Sequence, residues 1–87
     1  MLELDIHYTH HAHEKFTLLA RYGFPVTEQQ VEDTIRYPAL VVEQSGGKLI
    51  AQSAISEEHL LRVIYRTDGK VATVITFYPA HRRRYET

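Results

Sequence analysis

Residue types able to move protons or hold phosphate near neutral pH fall at two ends of this chain. His11 and Lys15 are four apart, a spacing that puts an imidazole beside an ammonium on one helix face. Much later, Tyr78 and His81 lead directly into Arg82, Arg83 and Arg84, and Arg62 stands alone in an apolar stretch. Cleaving an RNA phosphodiester without a metal requires a base for the 2′-hydroxyl, a proton donor for the leaving 5′-oxygen, and cations facing the crowded phosphate. On these types His11, Lys15 and His81 are the candidate catalytic groups, and Arg62, Tyr78, Arg82, Arg83 and Arg84 are candidate phosphate contacts.

Each of these residues also has a plainer reading. A histidine at a helix start often only caps it, and Lys15 fits a solvated helix face. An arginine among apolar strand residues needs a partner, and Glu43 or Glu57 could give Arg62 a structural ion pair. Tyr65, Phe77 and Tyr78 suit a core or sheet surface, and the arginine triplet suits a solubilising tail or a protein-binding element. His7, His10, His11 and His13 invite a metal reading, but strand-to-helix spacing scatters their rings and the zinc-protease order with an intervening Glu is absent. No metal or cofactor is expected.

Several elements must position these groups. Leu2, Leu4 and Ile6 alternate with Glu3, Asp5 and His7, which predicts a strand over 2–7. Thr9 can cap a helix over about 10–22, whose stripe is Ala12, Phe16 and Leu19; Gly23 and Pro25 then end it. Thr27 and Gln30 form a capping box before a second helix over about 28–36, stopped near Pro38. Short β-rich runs follow: 40–44, a Gly46-Gly47 turn, 48–55, a break at 56–58, 59–66, an Asp68-Gly69 turn, and 70–78. Pro79 should end the last strand, leaving 80–87 as a basic tail or short helix. The order β-α-α-β-β-β-β predicts an α+β domain with two N-terminal helices packed on an antiparallel sheet.

At 87 residues the chain has room for one core, so residues 1–87 read as a single domain. The absence of cysteine excludes a disulfide framework. Apolar runs are too short for a membrane span, and the first residues lack the pattern of a signal peptide. A cytoplasmic protein is expected. The formal net charge of −1 conceals an asymmetry: residues 1–56 carry four Lys/Arg against seven Asp/Glu, and residues 57–87 carry six against four. A local anion-binding surface is therefore compatible with a nearly neutral whole.

Read in order, the motifs resemble small prokaryotic domains distantly related to the RelE, ParE and BrnT toxins. The resemblance is carried by His11, Ala12, Lys15, Arg21 and Gly23 in the first helix, and by Thr27, Val31, Ile35 and Pro38 in the second. Leu61 to Tyr65 and Val74 to Pro79 carry it in the central hairpin. The resemblance implies a RelE-like fold and a toxin-like ribonuclease of a toxin-antitoxin system, with RNA or the ribosome as target and a small antitoxin as partner. It is equally compatible with a non-catalytic interaction domain or a degenerate toxin relative. A homodimer through an open strand edge is a further expectation.

Overall fold

The computed structural model describes residues 4–85. Two helices lie on one face of a five-stranded sheet of order β1-β5-β4-β3-β2, so the chain is α+β. The strands are β1 (Asp5–Tyr8), β2 (Leu40–Glu43), β3 (Leu49–Ala54), β4 (His59–Asp68) and β5 (Val71–His81). The helices are α1 (His10–Arg21), α2 (Glu28–Arg36) and a single closing turn, α3 (Arg82–Tyr85). Leu2 and Glu3, which the alternation assigns to the first strand, lie outside the described residues.

Local chemistry sets the helix ends. The Thr9 hydroxyl accepts the Ala12 N–H at 3.1 Å, and Gly23 takes the left-handed conformation (φ 80°) just after α1, which only glycine adopts without strain. At α2 the Thr27 hydroxyl accepts the Gln30 N–H while the Gln30 side chain accepts the Thr27 N–H, completing the capping box.

Burial then assembles the layers. Ala12, Val31 and Ile35 from the helices meet Ala51, Leu61, Val63, Val74 and Phe77 from the sheet. The Phe77 ring is fully buried, 4.6 Å from Phe16, which in turn meets Tyr8 edge-on at 5.5 Å. Thr34 is buried too, and its hydroxyl is satisfied by Gln30 O and Ser53 Oγ.

Three expectations change. The sheet is mixed, because β1 pairs parallel with β5, Asp5 beside Val71 through Tyr8 beside Val74; a period-two pattern identifies a strand but carries nothing about its neighbour. β5 runs through Pro79 to His81. Beyond Val74 it has no β1 neighbour, so a missing N–H leaves no ladder bond unmade on that side. Finally, the hairpin turn is Gly69-Lys70, one residue later than expected, because Asp68 still pairs with Val71.

Candidate functional site

The sheet face turned away from α1 and α2 is organised in cross-strand rows. Arg62 stands opposite Tyr78 on one side and Gln52 on the other, and Gln52 stands opposite Leu40. In the next row Ile64 lies between Thr76 and Ile50. One further along, Arg66 faces Thr73, which is beside His7. Strand alternation places all of these on the face opposite Leu61, Val63 and Phe77.

A bulge brings α1 to the rim of this face. Tyr65 pairs with Val74 but Ile64 pairs with Thr76, so Ile75 is the extra residue. The Thr9 hydroxyl donates to Ile75 O at 3.1 Å and the Thr9 N–H to Val74 O at 3.0 Å. These bonds tie the start of α1 to the open side of β5. His11 then reaches Thr76, with Nε2 and Oγ1 3.3 Å apart. Thr76 and Tyr78 are two residues apart on one face, roughly 7 Å along the strand, so the His11 imidazole and the Arg62 row border the same surface.

Arg62 is the centre of the site. Its guanidinium carbon lies 4.1 Å from the Tyr85 ring centre and 5.9 Å from that of Tyr78, the range of cation–π attraction. Its Nε is buried without a hydrogen-bond partner. The anticipated ion pair with Glu43 or Glu57 is absent: among the described residues the close charge pairs are His10–Glu14 and Arg36–Glu32. The register explains why. Glu43 pairs with Leu49, on the helix-covered side of the sheet, and Glu57 lies in the β3–β4 loop, where its carbonyl accepts from Arg82 at 3.4 Å. A buried donor left unmade costs about 1–3 kcal/mol.

The other predicted residues divide. His81 belongs to a different place: it pairs with His59 across β4 and β5, their rings 5.6 Å apart, and Phe24 closes on His59 at 4.8 Å. This cluster is on the helix side at the far end of the hairpin. Five residues of strand, roughly 16 Å, separate His81 from Thr76. His11 and His81 therefore cannot serve one phosphate as base and acid. The Arg83 N–H donates to His81 Nδ1 at 3.3 Å, which fixes the ring against α3.

Arg82 is structural: its N–H donates to Glu58 O at 2.8 Å, and its guanidinium reaches Ser56 O and Glu57 O. It holds α3 in place. Arg83 and Arg84 are exposed on that turn. Lys15, one turn beyond His11, lines an open furrow of about 370 Å³ with His11, Glu14, Leu18 and Arg21. All the furrow's walls come from α1, so it is a groove between neighbouring side chains and does not reach Arg62. Among the described residues no three His, Asp or Glu side chains gather where they could hold a metal ion. Nor is any helix there long and apolar enough to cross a membrane.

Sequence reasoning missed Thr76, Tyr85 and His59. Thr76 was readable from its alternation with Tyr78. Tyr85 was not, because only the return of α3 over the sheet brings it to Arg62. Compared with models of protein families, with curated proteins and with solved structures, the chain matches none.

Proposed function

We propose that this chain binds RNA on the sheet face turned away from α1 and α2, around Arg62, and cleaves it as a toxin-like, RelE-type ribonuclease. The observation that carries the reading is Arg62, a guanidinium with an unmade buried donor, flanked by two tyrosines and paired with no carboxylate among the described residues. Arginine presents a planar fork that matches a phosphate's oxygens, and aromatic plates beside it accept stacked bases. Arg66 and the exposed Arg83 and Arg84 extend the positive field for the flanking backbone.

In this reading His11 takes the proton of the 2′-hydroxyl as the 2′-oxygen bonds to phosphorus. The phosphorus–5′-oxygen bond breaks, and the hydroxyl of Tyr85 or Tyr78 supplies the leaving oxygen's proton. Arg62 stabilises the charge on the non-bridging oxygens in between. An antitoxin then acts by covering this face.

A second reading rests on the separation of His11 from His81: the same face binds an anionic partner without cutting it. Incubating purified protein with structured and unstructured RNA, with and without ribosomes, decides between the two. Cleavage that is lost in Arg62→Leu and in His11→Ala supports the nuclease. RNA left intact by the wild type under every condition, but retained on the protein, supports the binding domain.

A further inference from the structure

We infer that β2 is a self-pairing edge through which two copies of this chain join into one continuous sheet. The sheet has two edges, and they are treated differently. β1 alternates Asp5 and His7 with its apolar residues, and the Arg36 guanidinium donates to Leu4 O at 3.2 Å beside it. β2 carries a single charge, Glu43, at its end. Its four residues are exposed on both faces, and Leu40, Val41 and Val42 show 49%, 43% and 42% of their surface. An edge strand of consecutive exposed aliphatics, without lysine, proline or bulge, is the kind folded proteins ordinarily blunt or pair.

The backbone is presented for pairing. The Gln44 N–H donates to Lys48 O at 2.8 Å, and in the register of Leu40 with Gln52 and Val42 with Ile50 the even-numbered groups of β2 face β3, as does the Ala39 N–H, which donates to Gln52 O at 2.9 Å. The N–H and C=O of Val41 and Glu43 therefore point outward.

The occupant that fits is a second copy. An antiparallel join about a two-fold axis normal to the sheet keeps each face on its own side, so residues of like parity must meet. Centring the axis on Val41 sets Val41 against its counterpart, Leu40 against Val42, and Glu43 against Ala39. The Val41–Val41 and Leu40–Val42 contacts are then apolar, Glu43 faces a small alanine, and no like charges oppose. Exposed Tyr37, at 64%, flanks the join. The patch is small, below the roughly 1,200 Å² of standard interfaces, so the dimer is concentration-dependent. One consequence rests on the RNA reading above: two Arg62 sites, five strand spacings or about 24 Å apart, would lie on one uninterrupted face. The dimer itself does not depend on that reading.

Sedimentation equilibrium with a set of single variants tests the join. The chain has no native cysteine, so Val41→Cys and, as control, Thr17→Cys on exposed α1 give clean crosslinking reporters. The wild type should pass from monomer to dimer between about 10 and 500 µM, the range of a weak interface. Val41→Lys should stay monomeric with unchanged circular dichroism. Mild oxidation should convert Val41→Cys to covalent dimer at least tenfold faster than Thr17→Cys. A wild type monomeric at the highest concentration, a Val41→Lys variant that still dimerises, or equal crosslinking of the two cysteine variants overturns the inference. An RNA-binding monomer would refute the join while leaving the Arg62 site standing.

Discussion

The Arg62 guanidinium carbon lies 4.1 Å from the centre of the Tyr85 ring, so a residue near the end of the chain is packed onto the middle of the central hairpin. That contact ties α3 to the sheet and frames the arginine through its flat face, while its buried Nε stays unpaired. From it follow expectations about stability and about binding that point in opposite directions.

Replacing Arg62 by leucine removes a buried unmade donor and places an apolar group beside Leu60 and Ile64, both buried. Stability should be unchanged or raised by about 1 kcal/mol. RNA affinity should fall at least tenfold. Thermal melts and fluorescence anisotropy with a labelled oligonucleotide report the two effects. A large loss of stability would mean that the arginine serves the fold.

Tyr85 is more than a third exposed, and its cation–π contact is worth about 0.5–2 kcal/mol. Tyr85→Ala should therefore lower the melting temperature only slightly while weakening RNA binding severalfold. Tyr85→Phe should bind as the wild type does yet cleave slowly, because it keeps the ring and loses the hydroxyl. Equal cleavage by Tyr85→Phe and the wild type removes that hydroxyl from the reaction.

The Thr76–His11 contact fixes one ring nitrogen on the rim of the site. Thr76→Val keeps the strand shape and breaks the bond. Its cleavage rate should drop about tenfold with RNA affinity unchanged, since His11 loses orientation rather than charge. Single-turnover kinetics separate the two quantities, and an affinity loss without a rate loss would reassign Thr76 to binding.

Alkaline pH should weaken the fold through Tyr8. Burial, with Glu32 and Glu28 next in effect, holds its hydroxyl above the ordinary tyrosine range. The folded state therefore retains a proton that the unfolded chain releases above about pH 10. The stability from neutral Tyr8 is complete below that pH and declines as pH rises toward the folded value. Tyr65, raised by burial alone, acts in the same direction. Denaturant titrations at pH 8 and pH 11 should show a smaller pH-dependent loss for Tyr8→Phe than for the wild type. An identical loss would trace alkaline lability elsewhere.

Much of the fold was legible locally. Thr9, Gly23, the Thr27–Gln30 box and Pro38 mark helix ends by chemistry within four residues, and the helices fall within a residue of those marks. Long-range facts were not written that way. The parallel pairing of β1 with β5 joins residues 66 apart, and the passage of β5 through Pro79 depends on which neighbour is missing. For the site, Arg62 and Tyr78 could be paired in thought by alternation alone. The division of His11 from His81 could not, because the bulge at Ile75 and the two faces of β5 decide it. Tyr85 was unreadable because its partner is chosen by how a single helical turn folds back.

The most direct test is a backbone amide NMR titration with a short RNA oligonucleotide at low salt. The account predicts that shifts concentrate on Arg62, Ile64, Thr76, Tyr78 and Tyr85, that added salt reverses them, and that Arg62→Leu abolishes them. Shifts confined to the outer surfaces of α1 and α2, or unaltered by Arg62→Leu, would contradict it.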